Sequence, residues 1–340
     1  PVGIRAVRKI AHGKGFFRAQ QQFHIKKDTG LIRTTVLFVC FNQEQFVRSA
    51  VRDVLAQDAE NLEIFLSDDC SEDNSFSIIQ EEAGRYEGPH KVIVNRTPEN
   101  LGLNRHINAL LEMSEGDIII PFAGDDRFRP DRAKKLAERL VADDALLVHS
   151  YADCIGPDDE EIPPVHSDAT LYVTDDLREI ARSQGLFIGA TAAWRRDLFT
   201  KYGPLPEEVA YEDLILGFRA ALEGRISLVE EPLVQYRVGT GASFQARSLG
   251  ALDYRARRMK NLMVWRNVLL ARWADATTYG LSHDHPVMQD IQDELFDVET
   301  RLLFCGGGDA GTAFRKALAK PGRFLRTAAS ELNRHRRKRV

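Results

Sequence analysis

The sequence predicts an α/β protein: a mostly parallel sheet flanked by helices, with a helical extension at its C-terminal side. Two observations predict the sheet. Short apolar runs of strand length alternate with stretches whose apolar residues recur at helical spacing, and this happens four times before residue 150. Each run also ends in polar or acidic residues, as strands do when a ligand binds beyond their carboxyl ends. The extension is predicted by residues 249–303, where the pattern becomes almost wholly helical.

Taken in order, Thr34 to Val39 reads as a buried strand. Phe46, Val47, Ala50, Val51, Val54 and Leu55 then mark a helix. A strand from Leu62 to Leu66 ends in Ser67-Asp68-Asp69, and a helix follows over 74–86. Lys91 to Val94 is the third strand, and the helix over 104–113 places Ile107, Leu110 and Leu111 on one face. Asp117 to Phe122 is the fourth strand, and Pro130-Asp131 opens another helix, with proline where its missing N–H costs nothing. Ala145 to His149 is strand-like, whereas 151–185 is irregular and acidic. Residues 186–199 read as a strand entering a short helix, and Glu212-Asp213 form the acidic first turn of a helix reaching Leu222. Two short strands are expected at 226–229 and 233–236. Leu252, Ala256, Met259, Met263 and Leu270 are the expected packing stripe of the extension, and Gly306-Gly307-Gly308 a break. The expected organisation is a basic N-terminal extension (1–33), a catalytic-type domain (34–245), the helical extension (246–308) and a basic tail (309–340).

Charge is unevenly spread. Residues 1–33 carry +7 and residues 312–340 carry +9, which leaves −20 between them for a total of −4. Basic ends on an acidic body suit contact with an anionic membrane surface, or serve only as solubilising termini; nucleic acid is not expected as a partner. The stretch Arg334 to Arg339 has no apolar residue, so its attachment would be electrostatic. Cys40, Cys70, Cys154 and Cys305 lack metal-ligand spacing and read as reduced thiols. No apolar run reaches the roughly 18 residues of a membrane span, and no signal peptide is read. The expected location is cytoplasmic, peripheral to the inner face of the membrane. Pro1 is an unusual natural start, so a processed or excised piece is expected.

Ala123-Gly124-Asp125-Asp126 follows the apolar run Ile118 to Phe122. Adjacent carboxylates at the end of a buried strand repel and must be hydrated or paired. A hard divalent cation, Mn²⁺ or Mg²⁺, relieves that cost. The plainer reading is a loop in which one Asp caps the helix near Pro130.

These segments together resemble the inverting family 2 glycosyltransferases of the GT-A fold, a Rossmann-like α/β architecture. Val36 to Asn42 is similar to the family's first strand and its Phe-Asn ending. Asp68-Asp69-Cys70-Ser71-Glu72-Asp73-Asn74 resembles its Asp-Asp-Gly-Ser block, and Asn100-Leu101-Gly102 with Asn108 its Asn-x-Gly segment. Asp125-Asp126 stand at its Asp-x-Asp motif, Glu212-Asp213 at its catalytic block, and Glu231 to Val238 at the strand that follows. The likeness covers about residues 34–245. It implies sugar transfer from a nucleotide-diphosphate sugar, UDP-linked, to a hydroxyl of a glycan or lipid-linked acceptor in surface polysaccharide synthesis. It also implies roles. Asp213 is the expected general base, with Glu212 positioning. Phe41, Asn42, Asp68 and Asp69 are expected at the nucleotide, with Asp69, and Asp68 beside it, accepting hydrogen bonds from base or ribose. Asn100, Gly102 and Arg105 belong to the same donor site. Asp125 is the expected metal ligand, Asp126 a second ligand or sugar contact, and Arg237 a phosphate contact or the partner of an acid. For Glu212-Asp213 the plainer reading is favourable charge at a helix N-terminus, worth roughly 0.3–1 kcal/mol; for Asp69 it is a cap on the helix near Asn74.

Three positions depart from the pattern: Ala123 replaces the first Asp of Asp-x-Asp, Ile107 stands where an Arg is common, and Gly239 where a His is common. They motivate an alternative, a non-catalytic glycan- or nucleotide-binding module on a decayed fold. A sugar nucleotidyltransferase would need a Gly-rich basic loop after the first strand, and Cys40-Phe41-Asn42-Gln43-Glu44 is not one.

Overall fold

The computed structural model describes residues 32–165, 168–240, 254–307 and 309–337. Most of the expected N-terminal extension, the end of the catalytic-type domain after 240, Leu252 of the expected stripe and tail residues 338–340 lie outside the described residues.

Nine strands and eleven α-helices are present among the described residues. The first half runs β1 (Thr34–Cys40), α1 (Val47–Leu55), β2 (Glu63–Asp68), α2 (Ser75–Gly84), β3 (Lys91–Arg96), α3 (Leu103–Met113), β4 (Ile118–Ala123), β5 (Arg127–Phe128) and α4 (Arg132–Ala142). It continues with β6 (Leu147–Ile155), β7 (Glu161–Ile162), α5 (Leu177–Arg182), β8 (Ala193–Arg195), α6 (Asp197–Tyr202), α7 (Glu212–Leu222) and β9 (Ile226–Arg237). Four helices close the chain: α8 (Tyr254–Tyr279), α9 (Pro286–Leu302), α10 (Ala310–Ala319) and α11 (Pro321–Arg337).

One mixed sheet has the order β3-β2-β1-β4-β8-β6-β9-β5, with β7 paired to β6. Strands β1 to β4 are parallel, and their register sets Cys40 beside Asp68 and Val39 beside Ala123. The loops after β1, β2, β3 and β4 therefore open on one edge.

Alternation along the strands sends side chains to two apolar layers. Val36, Phe38, Ile64, Leu66, Ile120 and Phe122 pack under α1 and α4. Leu37, Phe65 and Ile119 pack on the other face with Ile107, Leu110, Phe218, Trp265 and Leu269. The layer that takes α3 and α7 also takes the C-terminal helices, so the extension is built against the helix that begins at Glu212.

Three expectations change. The two short strands at 226–229 and 233–236 are one strand, β9, whose ladder with β6 shifts register where Tyr151 faces Pro232. Proline lacks a ladder N–H, so the pairing slips there without ending. The packing stripe of α8 is turned around the helix: Leu262, Trp265, Val268, Leu269, Arg272, Asp275 and Ala276 are buried, while Met263 and Leu270 are 52% and 40% exposed. Buried charges with protein partners carried the true face, which apolar spacing cannot register. The basic tail forms helices: Arg323 of α11 bonds Asp297 of α9 at 2.8 Å, and Arg258 of α8 bonds Glu331 of α11 at 3.0 Å.

Candidate active site

The donor-side loops are held together by polar residues. Asn42, at φ 52, donates its N–H to Ser71 Oγ and accepts from the Glu72 N–H, both at 2.8 Å. It ties the loop after β1 to the loop after β2. Asp69 receives the Thr97 hydroxyl at 2.9 Å and the N–H groups of Leu101 and Gly102 at 3.0 and 2.9 Å. Both its oxygens are spent on the 97–102 loop rather than on a cap near Asn74. Asp68 is fully buried, and its Oδ2 accepts the Ser71 N–H at 2.8 Å and faces Arg96 at 3.4 Å. Its Oδ1 is buried with no hydrogen-bond partner among the described residues, so of the two acids Asp68 retains an acceptor. Asn100 accepts from the Gly102 N–H at 3.0 Å, and Gly102, at φ 75, precedes α3. Glycine suits that left-handed backbone. Phe41 is half-buried, and Arg105 is turned toward Glu99 at 3.5 Å. Ile107 is core, and Asn108 exchanges two hydrogen bonds with Leu205.

Asp125 and Asp126 lie at the β4 edge, 6% and 2% exposed. Burial pushes both carboxyls above their usual range, and the Asp125 charge pushes Asp126 further. The Thr240 hydroxyl donates to Asp125 at 3.3 Å, and the Arg237 N–H to Asp126 at 2.8 Å. The Arg237 guanidinium reaches the carbonyls of Asp125 at 2.7 Å and Gly156 at 2.6 Å, and Asp159 at 2.5 Å, above the Phe46 ring. Of the two roles expected for Arg237, phosphate contact or partner of an acid, the pairing with an acid is present in Asp159, and the guanidinium clamps the carboxylate loop. Gly124 is required by close approach, since a Cβ there would lie 2.5 Å from Gln43 Oε1 and 3.1 Å from Cys40 Sγ.

The donor chemistry fits a hard cation: two adjacent oxygen acids are held above their usual range by burial, and Asp126 further by the Asp125 charge, which a divalent charge would reverse. No cluster of three His, Cys, Asp or Glu occurs among the described residues. The protein's side chains here therefore amount to a two-carboxylate half-site. Arg132 stands behind it, fully buried, packed on Phe122 with its guanidinium 4.2 Å from the ring centre and donating to the Ala190 carbonyl at 2.7 Å. Burial lowers its pKa to about 9, and the Asp126 charge opposes that fall.

Glu212 and Asp213 begin α7. They keep an opening to solvent while dense protein surrounds them. Asp213 Oδ1 accepts the Leu214 N–H at 2.7 Å. Burial raises Asp213 to about 6, with that hydrogen bond and the Arg272 charge opposing. Burial and the Asp213 charge raise Glu212 to about 8. Burial thus holds both carboxyls above the usual range, Glu212 the higher because the Asp213 charge adds to it, and Asp213 is the better placed of the two to be ionised and accept a proton. Arg272, fully buried on α8, donates to the Leu214 carbonyl at 3.1 and 3.0 Å and to the carbonyls of Ile180, Ala181 and Ser183.

The two carboxylate pairs belong to one site. Tyr236 of β9 is raised by burial and then by Asp126, Asp125, Asp213 and Glu212 in turn. The Ala190 carbonyl that Arg132 holds adjoins Gly189, where a Cβ would sit 2.5 Å from Glu212 Oε1. Tyr236, Arg132, Arg272 and Gly189 were not singled out in the sequence. Arg272 carried a usable signal, a charge at helical spacing from Val268, Leu269 and Asp275.

Comparisons with known proteins agree with this geometry. Residues 35–203 match the model of glycosyl transferase family 2. An uncharacterised protein of Mycobacterium tuberculosis is 29% identical over 212 residues, 60% of this chain and 58% of that protein. The chain thus spans about 58% of the length of that curated relative. Among solved structures, S. aureus TarS 1-349 in complex with UDP-GlcNAc superposes with a TM-score of 0.55 at 16% identity, covering 88% of this chain and 80% of that TarS 1-349 chain. The mannosyltransferase PcManGT of Pyrobaculum calidifontis, in complex with GDP-Man and Mn²⁺, gives 0.52 at 18% identity, covering 89% and 86%. With a mostly parallel sheet, carboxylates at its strand ends and a family match over 35–203, the chain belongs to glycosyl transferase family 2 and has the GT-A fold.

Proposed function

We propose that this chain transfers a sugar from a UDP-linked donor to a hydroxyl of a glycan or lipid-linked acceptor, with inversion at the anomeric carbon, in building a surface polysaccharide. The observation that carries the reading is that a second carboxylate pair, Glu212-Asp213 at the start of α7, stands near Asp125-Asp126, with burial holding all four above the usual carboxylate range. Asp213 accepts the proton of the acceptor hydroxyl as that oxygen attacks C1 and the C1–diphosphate bond breaks on the opposite face. Glu212, protonated, donates a hydrogen bond and keeps a second charge away from the base. Asp68 Oδ1 takes a donor N–H or hydroxyl, and Asp69 and Asn100 keep the 97–102 loop in place around it. Asp125 and Asp126 would hold Mn²⁺ or Mg²⁺, which when bound offsets charge on the departing diphosphate. The TarS complex with UDP-GlcNAc and the PcManGT complex with Mn²⁺ support donor class and metal by analogy of fold.

A binding module without chemistry has no use for four carboxylates whose burial costs stability, so the catalytic reading is preferred to the decayed one. A lipid-linked acceptor would place the work at the inner face of a membrane. The test is NMR of the product formed from an α-linked donor. A β-linked product supports single displacement at Asp213; an α-linked product contradicts it.

A further inference from the structure

Helices α10 and α11 carry a surface that sugar transfer does not use. Phe314 and Leu318, four residues apart on α10, are 64% and 66% exposed. Leu325 and Leu332, seven apart on α11 and therefore on one face, are 66% and 47% exposed. Arg315, Arg326 and Arg334 are exposed on the same two helices. The single acid of residues 310–337 is Glu331, which is buried and bonded to Arg258 at 3.0 Å. The outer surface of the two helices thus presents apolar and cationic groups with no anion among them.

Arg315 and Arg326 each occupy the position after an exposed apolar residue, Phe314 and Leu325, where a long cationic side chain can reach a phosphate at the edge of the apolar face.

We propose that α10 and α11 dock this protein on an anionic phospholipid surface, Phe314, Leu318, Leu325 and Leu332 entering the interface and the flanking Arg315 and Arg326 reaching lipid phosphates. Charge complementarity selects this occupant: a second copy packed face to face would set Arg315, Arg326 and Arg334 against their own like charges, whereas an anionic bilayer meets the +9 of residues 312–340 with opposite charge. This replaces the purely electrostatic attachment expected from the terminal Arg-rich stretch. The proposal stands apart from the transfer chemistry, since none of its residues lies in the carboxylate cleft.

The test is co-sedimentation of the full chain with vesicles of phosphatidylglycerol in phosphatidylcholine, against pure phosphatidylcholine vesicles. Wild type is expected to pellet with the anionic vesicles only, and to retain part of its binding in high salt because apolar side chains contribute. Leu325→Ser with Phe314→Ser should abolish the salt-resistant part. Arg315→Ser with Arg326→Ser should weaken binding on the order of tenfold or more, from about fivefold per basic residue near anionic lipid. All of these residues are exposed, and a thermal melt of each variant confirms folding. Variants that pellet like wild type, complete release by salt, or a dimer in light scattering that Leu325→Ser dissolves without any vesicle binding would each overturn the proposal. Donor hydrolysis in the same variants should be unchanged, so loss of lipid binding and loss of the proposed activity read out separately.

Discussion

Arg272 grips the carbonyl of Leu214, the residue after Asp213, with two hydrogen bonds of 3.1 and 3.0 Å. It is part of an alternating series of charges between α7 and α8: Asp213, Arg272, Asp275 and Arg219, the last two joined at 2.9 Å and almost fully buried. The extension thus fixes both the position and the ionisation of the proposed base. Breaking the series should be visible as more than lost stability. In Arg272→Met, which removes the positive charge that lowers Asp213, the acidic limb of the pH–rate profile should move upward by on the order of one unit. A variant with lower turnover but an unmoved limb would leave Arg272 a packing residue only.

Glu212 gives a pH dependence of stability with a definite sign. Its pKa is raised from 4.5 to about 8, so the folded state binds a proton that the unfolded state has released across that window. Stability then falls as pH rises between the two values. Glu212→Gln keeps the neutral shape and escapes the loss. Its Tm should match wild type below pH 4.5 and exceed it by a growing margin toward pH 8. A constant difference across the range would mean that Glu212 is already ionised in the folded chain.

The fold was legible because β1, β2 and β4 are short apolar runs in a regular alternation, and register then follows from which face each residue must bury. The carboxylates were legible because Asp125, Asp126, Glu212 and Asp213 stand in local motifs. The supports were not. Arg132 and Arg272 are charged residues buried against aromatic rings and main-chain carbonyls, partners that no spacing rule announces. The same blindness misplaced the packed face of α8, where Arg272 and Asp275 sit among Leu269 and Ala276. For Arg237 the sequence leaves phosphate contact and acid partner both open, because the acid, Asp159, is 78 residues away.

The metal half-site predicts linkage between cation and donor. Calorimetry should show UDP binding strengthened by Mn²⁺ in wild type, and the gain should disappear in Asp125→Ala or with EDTA. Equal UDP affinity in all three conditions would remove the cation from the account and leave Asp125 a buried structural acid.

The central claim is that Asp213 takes the acceptor proton. The most direct measurement is UDP release from a panel of UDP-sugars by wild type and Asp213→Asn, with UDP affinity measured alongside. Turnover in Asp213→Asn should fall by roughly 10²–10⁴ while UDP affinity is kept. Turnover near that of wild type in Asp213→Asn, with UDP affinity unchanged, would contradict the claim.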